Sequence, residues 1–274
     1  MAGLFEVDRG RCVKCGACVR DCAFRALGTD GEGFPAMVSP ARCMRCQHCL
    51  AICPAGAVTL DGRAAGACVA AADARLPSAE EVANWLVLRR STRKFRDADV
   101  DRDVLGRILE LLGNSPTGCN ARSLAFTCFP DRASMARMKR KFLEIAASPW
   151  GKILPRWFAV PAIRMRKGAE DMFFRGAAGL LVVSSDTDNP GVVTPNEDVT
   201  IACSNFELLA NANGIATCWL GFLGMIEKDL PGFVERLAGI KTGRPFQAML
   251  FGLSALKYPR SVERSGYAKI EYRD

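Results

Sequence analysis

Eight cysteines open the chain at Cys12, Cys15, Cys18 and Cys22 and again at Cys43, Cys46, Cys49 and Cys53, the last followed by Pro54. The spacing is C-x2-C-x2-C-x3-C twice, each cysteine returning 31 positions later. The repeat runs past the thiols: Ala26-Leu27 after the first run answers Ala57-Val58 after the second, which implies a duplicated unit with a pseudo-two-fold axis. Three thiolates at three-residue intervals on a tight loop can wrap one face of an iron-sulfur cubane, and two units mean two clusters. Zinc ribbons use separated C-x2-C pairs and do not need a third cysteine, so the pattern favours iron-sulfur ligation over a four-cysteine zinc site or structural thiols. His48, between Cys46 and Cys49, is the only histidine of the chain. It reads as a solvent-side loop residue, and no other histidine exists to form a catalytic triad or a histidine-rich metal centre.

The cysteine pattern resembles that of the bacterial two-cluster ferredoxins, over residues 3 to 62. In such proteins the fourth cysteine of each run ligates the other cluster. The resemblance therefore implies that Cys12, Cys15, Cys18 and Cys53 hold one cluster and Cys43, Cys46, Cys49 and Cys22 the second. Ala23 stands after Cys22 where these ferredoxins usually carry proline, which implies a less rigid turn behind that ligand.

A second set of residues suits an anionic, planar ligand. Arg89-Arg90-Ser91-Thr92-Arg93-Lys94-Phe95 crowds basic and hydroxyl side chains beside a helix end. Guanidinium forks and a serine hydroxyl match phosphate oxygens, although a basic cluster by itself is most often a solvated helix end. The small-residue loop Ser115-Pro116-Thr117-Gly118-Cys119-Asn120-Ala121-Arg122-Ser123 lets amides approach a planar ring edge, as an isoalloxazine requires.

Arg-Arg-Ser-x-Arg-x-Phe followed by Ser-Pro-Thr-Gly-x-Asn resembles the FMN-dependent nitroreductase family. So do Asp198-x3-Ala202-x2-Asn205-Phe206, Leu208-Leu209-Ala210, the run Gly214 to Gly221, and a late basic segment with Tyr258, Arg260 and Arg264. The resemblance covers residues 80 to 265 and, with the cysteine pattern, identifies the chain as resembling ferredoxin-nitroreductase fusions. It implies an α+β fold: a small two-cluster ferredoxin-like domain followed by an α+β sandwich whose central mixed sheet is wrapped by helices. It also implies an intertwined homodimer with FMN at each subunit interface. By motif, Arg89, Arg90, Ser91 and Arg93 should bind the ribityl-phosphate end, and Arg260 and Arg264 should approach the same phosphate. Pro116, Thr117 and Asn120 should line the flavin from the partner subunit, and Leu220 and Gly221 should face its N5 side. The expected activity is electron transfer from the two [4Fe-4S] clusters, one electron at a time, to FMN, and then as a pair to an electron-poor nitroaromatic, quinone or enone. The alternative is an electron-transfer or redox-sensing module that relays electrons to a protein partner. Fused clusters make reduced ferredoxin or another low-potential protein the more natural donor, and no G-x-G-x-x-G dinucleotide motif follows a strand. No proton donor or other catalytic side chain can be named.

Several elements must position these groups. Ser78 and Glu81 have capping-box spacing, with a helix beginning near Ala79 and running into the basic segment. Asp101 to Leu112 has helical spacing and a left-handed stop at Gly113-Asn114. Ala125 to Phe129, Gly179 to Ser184, Ala216 to Leu220 and Phe246 to Phe251 read as strands, and Asn196 to Asn213 as a long buried helix. Pro149 to Phe174, with Trp150, Trp157, Phe158 and Phe173, reads as an irregular segment, either a candidate active-site lid or a loop whose aromatics close the core. Cys119, Cys128, Cys203 and Cys218 read as buried small hydrophobes. The expected domains are residues 1–64 for the clusters, 65–78 as linker and 79–274 for FMN.

The 274 residues, 49% hydrophobic, suffice for one large domain and a small one. Thirteen cysteines, an odd number concentrated at one end, fit reduced thiols and metal ligation more than a disulfide framework. The formal charge is +8; eight thiolates, two cluster cores and a flavin phosphate would bring it to about +2, so the excess answers the cofactors more than nucleic acid. The arginines lack the interleaved aromatics of a nucleic-acid surface. Apolar runs too short for a membrane span and a start without a secretory h-region make the cytoplasm the expected compartment.

Overall fold

The computed structural model describes residues 3–273, apart from the side chains at 150 and 152. The chain divides into two compact units, with the division between Pro77 and Ser78.

The first unit holds β1 (Phe5–Val7), α1 (Ala17–Arg20), β2 (Leu27–Thr29), β3 (Pro35–Met37), α2 (His48–Ala51), β4 (Val58–Leu60) and β5 (Arg63–Ala64). β1, β4 and β5 form one antiparallel sheet and β2 pairs with β3. The 31-residue repeat is written into the backbone. α1 and α2 are offset by it, and so are three pairs of left-handed residues: Lys14 and Arg45 (φ 53° and 50°), Gly16 and Gln47 (68° and 64°), Arg25 and Gly56 (52° and 57°). Each pair turns the chain within or just after a cysteine run, so these loops are shaped by backbone more than by packing. The apolar core is slight: Cys18, Ala26, Leu27, Leu50, Ala57, Val58 and Leu60 are its buried members among the described residues.

The second unit is a sheet between two helical layers. In order it has α3 (Ala79–Leu88), α4 (Arg102–Leu111), β6 (Leu124–Phe129), α5 (Arg132–Ala147), α6 (Arg156–Arg166), β7 (Gly179–Ser185), α7 (Pro195–Ala212), β8 (Ala216–Trp219), α8 (Phe222–Asp229), α9 (Phe233–Ala238) and β9 (Phe246–Gly252). Strand order is β6-β7-β9-β8, every ladder antiparallel, and a single parallel bridge from Ser91 to Thr217 of β8 gives the sheet its mixed character. β7 is buried along its whole length and its period-2 alternation sorts the core. Leu180 and Val182 face α5, α6, α8 and α9 around Phe142, Phe158 and Phe233; Leu181 and Val183 face α4 and α7 around Ile108, Val199 and Phe206. At Gly179 a Cβ would overlap the Phe251 ring and the Phe129 carbonyl, so strand packing there requires glycine.

Three expectations need correction. α4 is capped by Asp101 as its spacing suggests, but it ends in a 3-10 turn, Leu112–Asn114, and neither Gly113 nor Asn114 is left-handed. Pro149 to Phe174 is not irregular: a 3-10 turn, Pro149–Ile153, leads into α6, whose Phe158, Ala162 and Met165 recur at helical spacing and are buried. Phe142 meets Phe158, Phe173, Phe174 and Phe233 at centroid distances of 5.1, 5.0, 5.0 and 5.8 Å, so Phe158 and Phe173 close the core. The Trp150 side chain lies outside the described residues. Cys119 is exposed and left-handed (φ 51°), unlike buried Cys203 and Cys218 and half-buried Cys128.

Candidate functional site

The cysteine loops carry matched sulfur environments. The Ala26 amide donates to Cys22 Sγ and the Ala57 amide to Cys53 Sγ, both at 3.3 Å, one bond per repeat. Burial raises the Cys18 thiol pKa, and Cys53 and Cys12 lie near enough to add to the shift. Burial likewise pushes Cys49 up to about 11, with Cys46 and Cys43 as the nearer like-charged thiols. The two runs thus act on each other's thiols, Cys53 on Cys18 and Cys18 on Cys49. Among the described residues no three His, Cys, Asp or Glu side chains converge as one metal ion needs. A cubane bonds each thiolate to a different iron and so spreads its four sulfurs further apart than a zinc ion does. His48 is exposed and its Nδ1 lies 3.3 Å from Asp21 Oδ2, the bearing of a surface residue.

In the second unit the basic segment is threaded along the edge of the sheet. α3 begins at a full capping box between Ser78 and Glu81 and ends at Leu88. The chain then bridges Ser91 to Thr217, the Thr92 amide donates to the Thr217 carbonyl at 2.8 Å, and Phe95 bridges to Ser254. Arg89 turns inward: its Nη1 lies 3.3 Å from Oε1 of buried Glu207 on α7. Arg90 folds back, Nη1 donating to the carbonyls of Val87 and Arg89 at 2.9 and 2.6 Å, while its Nη2 is buried without a partner among the described residues. Arg93 Nη1 reaches the Ser91 carbonyl at 3.4 Å.

Two cavities flank this segment. One, about 430 Å³, is lined by Leu86, Val87, Arg89, Arg90, Arg264 and Ser265 among others; the second, about 400 Å³, by Trp85, Arg89, Arg90, Thr92, Asn211 and Tyr258 among others. Arg89, Arg90 and Arg264 therefore line one cavity together. Ser91, Arg93, Arg260, Pro116, Thr117, Asn120, Leu220 and Gly221 line neither cavity.

The loop after α4 is held from below. The Gly118 amide donates to Asp198 Oδ1 at 2.9 Å, the Thr194 hydroxyl donates to the same oxygen at 2.9 Å, and Asn205 Nδ2 donates to Ser115 Oγ at 3.0 Å. A Cβ at Gly118 would overlap the Thr194 hydroxyl, so the close approach depends on glycine. Cys119, Asn120 and Arg122 all have φ near 50°, left-handed values that mark a strained loop. At the end of β8 the Leu220 amide donates to the Ala248 carbonyl at 2.8 Å.

Sequence reasoning missed Glu207 and Arg175. Glu207 lies among apolar residues of α7, and one acid in such a stripe is itself a signal. Arg175 is exposed and left-handed (φ 54°); with Arg93 and Arg89 it acts on Cys218, lowering a thiol pKa that burial raises more strongly.

Comparison with known proteins follows the same division. A model described as the Nitroreductase family matches residues 86–253, and one described as a 4Fe-4S dicluster domain matches residues 11–57. Among solved structures, a nitroreductase with bound FMN from Desulfitobacterium hafniense DCB-2 is 24% identical with a TM-score of 0.52, covering 71% of this chain and 98% of that one. A nitroreductase with bound FMN from Bacteroides fragilis NCTC 9343 is 22% identical with a TM-score of 0.52, covering 70% and 99%. A putative NADH dehydrogenase/NAD(P)H nitroreductase from Parabacteroides distasonis ATCC 8503 is 18% identical with a TM-score of 0.51, covering 71% and 98%. At these identities the likeness is one of fold. No curated protein matches the chain.

Proposed function

This chain belongs to the nitroreductase family and carries a 4Fe-4S dicluster domain ahead of it, and we propose that it passes electrons from two [4Fe-4S] clusters to FMN and on to an electron-poor nitroaromatic, quinone or enone. It is an iron-sulfur flavin oxidoreductase. Bound FMN would supply the conversion of single electrons into a pair; the protein's residues supply placement.

The observation that carries this reading is the convergence of Arg89, Arg90 and Arg264 on one cavity with the Arg90 Nη2 buried and unpartnered. A buried guanidinium nitrogen without an acceptor is costly, and a phosphate oxygen is the acceptor whose geometry it suits. Ser91 and Arg93 would complete the phosphate end and Arg260 would approach it. Leu220 and Gly221 would present the strand end to the ring. Cys12, Cys15, Cys18 and Cys53 would hold one cluster, and Cys43, Cys46, Cys49 and Cys22 the other. Residues 1–64 are read as the cluster domain, 65–78 as linker and 79–274 as the flavin domain.

The working unit is read as a homodimer. α3 buries none of its residues within one chain although Val82, Leu86, Val87 and Leu88 are apolar, and Tyr267, Ile270 and Tyr272 in the final segment are exposed. Such surfaces are suited to cover by a second copy. Pro116, Thr117 and Asn120 would then serve the flavin of the partner. Reduced ferredoxin or a similar low-potential protein is the proposed donor, in the cytoplasm; no described helix is long and apolar enough to cross a membrane.

The test is anaerobic purification with iron, sulfide and flavin quantification, then spectra after NADPH and after reduced ferredoxin. About eight irons and one FMN per chain are expected, with reduction by ferredoxin. Zinc, or flavin without iron, would overturn electron entry through the clusters.

A further inference from the structure

Glu207 is only 5% exposed and lies toward the C-terminal end of α7, where the helix's own partial negative charge disfavours an acid. Its neighbours along the buried stripe, Cys203, Phe206 and Ala210, are apolar. A leucine would be the cheaper occupant, because a buried charge costs more than an apolar side chain unless it is fully bonded.

The bonds it makes are specific. Oε1 receives Arg89 Nη1 at 3.3 Å and the Thr217 hydroxyl at 3.1 Å, and Oε2 receives Trp219 Nε1 at 3.3 Å. Thr217 Oγ1 in turn accepts from Asn211 Nδ2 at 3.1 Å, which leaves its own proton for Glu207. One carboxylate therefore ties the basic segment to β8, and does so at both ends of the proposed cofactor site: Arg89 at the phosphate, Trp219 directly before Leu220 and Gly221.

We propose that Glu207 is a positioning residue for FMN. It fixes the Arg89 guanidinium through Nη1, leaving the remaining N–H groups for the phosphate, and it fixes the strand end through the Trp219 indole. The inference rests on reading Arg89 as a phosphate ligand. It also predicts a sign. A carboxylate acting by charge alone would repel the phosphate, and its removal would tighten binding; a carboxylate acting by position loosens binding when removed.

The experiment measures FMN and riboflavin dissociation constants on cluster-loaded, flavin-stripped protein by flavin fluorescence, for the wild type, Glu207→Gln, Glu207→Leu, Arg89→Gln and Glu207→Leu/Arg89→Gln. Glu207→Leu is expected to weaken FMN about tenfold, the scale of one lost charge-assisted contact. Riboflavin, lacking the phosphate, should change by less than about threefold. Glu207→Gln, which keeps one acceptor oxygen, should fall between and preserves the readout if the leucine variant does not fold. The double variant should bind FMN no more weakly than Arg89→Gln. Tighter FMN binding, equal losses for both flavins, or additive losses in the double variant overturn the proposal. If Arg89→Gln leaves the ratio of the FMN to the riboflavin dissociation constant unchanged, the phosphate reading of Arg89 falls too; if Arg89→Gln raises that ratio and Glu207→Leu does not, only the role of Glu207 falls.

Discussion

Replacing Asp198 with alanine should release the loop Ser115–Ser123 without unfolding the sheet. Asp198 is 2% exposed, and its Oδ1 accepts from the Gly118 amide and the Thr194 hydroxyl, each at 2.9 Å. The Thr194 bond holds the start of α7; the Gly118 bond is the one that ties the loop itself, and a hydrogen bond to a charged acceptor contributes about 1.5–3 kcal/mol, so the clamp is worth about that much. Opposing it is backbone strain: Cys119 and Arg122 are left-handed at φ 51° and 50°, about 1–2 kcal/mol each, with less for Asn120. With the clamp gone, that strain is no longer opposed, and the local opening free energy should fall by the value of the lost bond, about 1.5–3 kcal/mol. Hydrogen exchange of residues 117–123 in the holoprotein should accelerate by roughly 10- to 150-fold, while β7 amides remain protected. Asp198→Asn retains one acceptor oxygen and should accelerate exchange less. Loop exchange within threefold of the wild type in Asp198→Ala would refute the clamp.

Four further outcomes follow from the same structure. Phe142→Ala, which removes a ring touching four others, should destabilise the second unit by about 3–5 kcal/mol in thermal unfolding. Trp157→Ala, on the exposed side of α6, should change stability by less than about 1 kcal/mol; turnover that is unchanged across several oxidants would remove that face from substrate selection. With the clusters intact, Cys68 should be alkylated at pH 8, whereas Cys203, whose thiol burial pushes up to about 12, stays protonated and should react only as the pH rises toward that value or the protein unfolds. Stripping iron should abolish the circular-dichroism and protease-resistance signature of the first unit, and survival of that signature would show that it folds without metal.

The sequence made visible whatever was enforced by periodicity or by ligand spacing. The strand of Val182 and Val183 is legible because a sheet covered on both faces needs a continuous apolar run, and α7 because its buried residues recur every three or four positions. The capping box at Ser78 is a local rule and was readable in four residues. α6 was obscured by Pro161 within it and by aromatics on both of its faces, Trp157 outward and Phe158 inward. The stop at Gly113 failed because a 3-10 turn can end a helix without a left-handed residue. In the site, the arginines could be read as a group, but the partner of each could not. That Arg89 meets Glu207, 118 residues away, depends on tertiary packing, which no local pattern encodes.

The two units place their reactive groups by different physics, and this separates the ways they can fail. In the first, few apolar side chains are buried, and the ligand loops depend on three repeated pairs of left-handed residues, most of them not glycine. Holding Lys14, Gln47 or Arg25 there costs energy that so small a core does not return. Cluster binding is then a folding term as much as a redox one, and substitution of a ligand should be felt first as lost structure. In the second, β7 is wholly buried and both helical layers pack on it. The polar features, Glu207 beneath β8 and Asp198 beneath the Gly118 loop, are bonded to that rigid frame from α7. Conservative changes at these acids should therefore alter flavin affinity and loop exchange before they alter the fold, which makes α7 the element on which the geometry of the proposed flavin site depends.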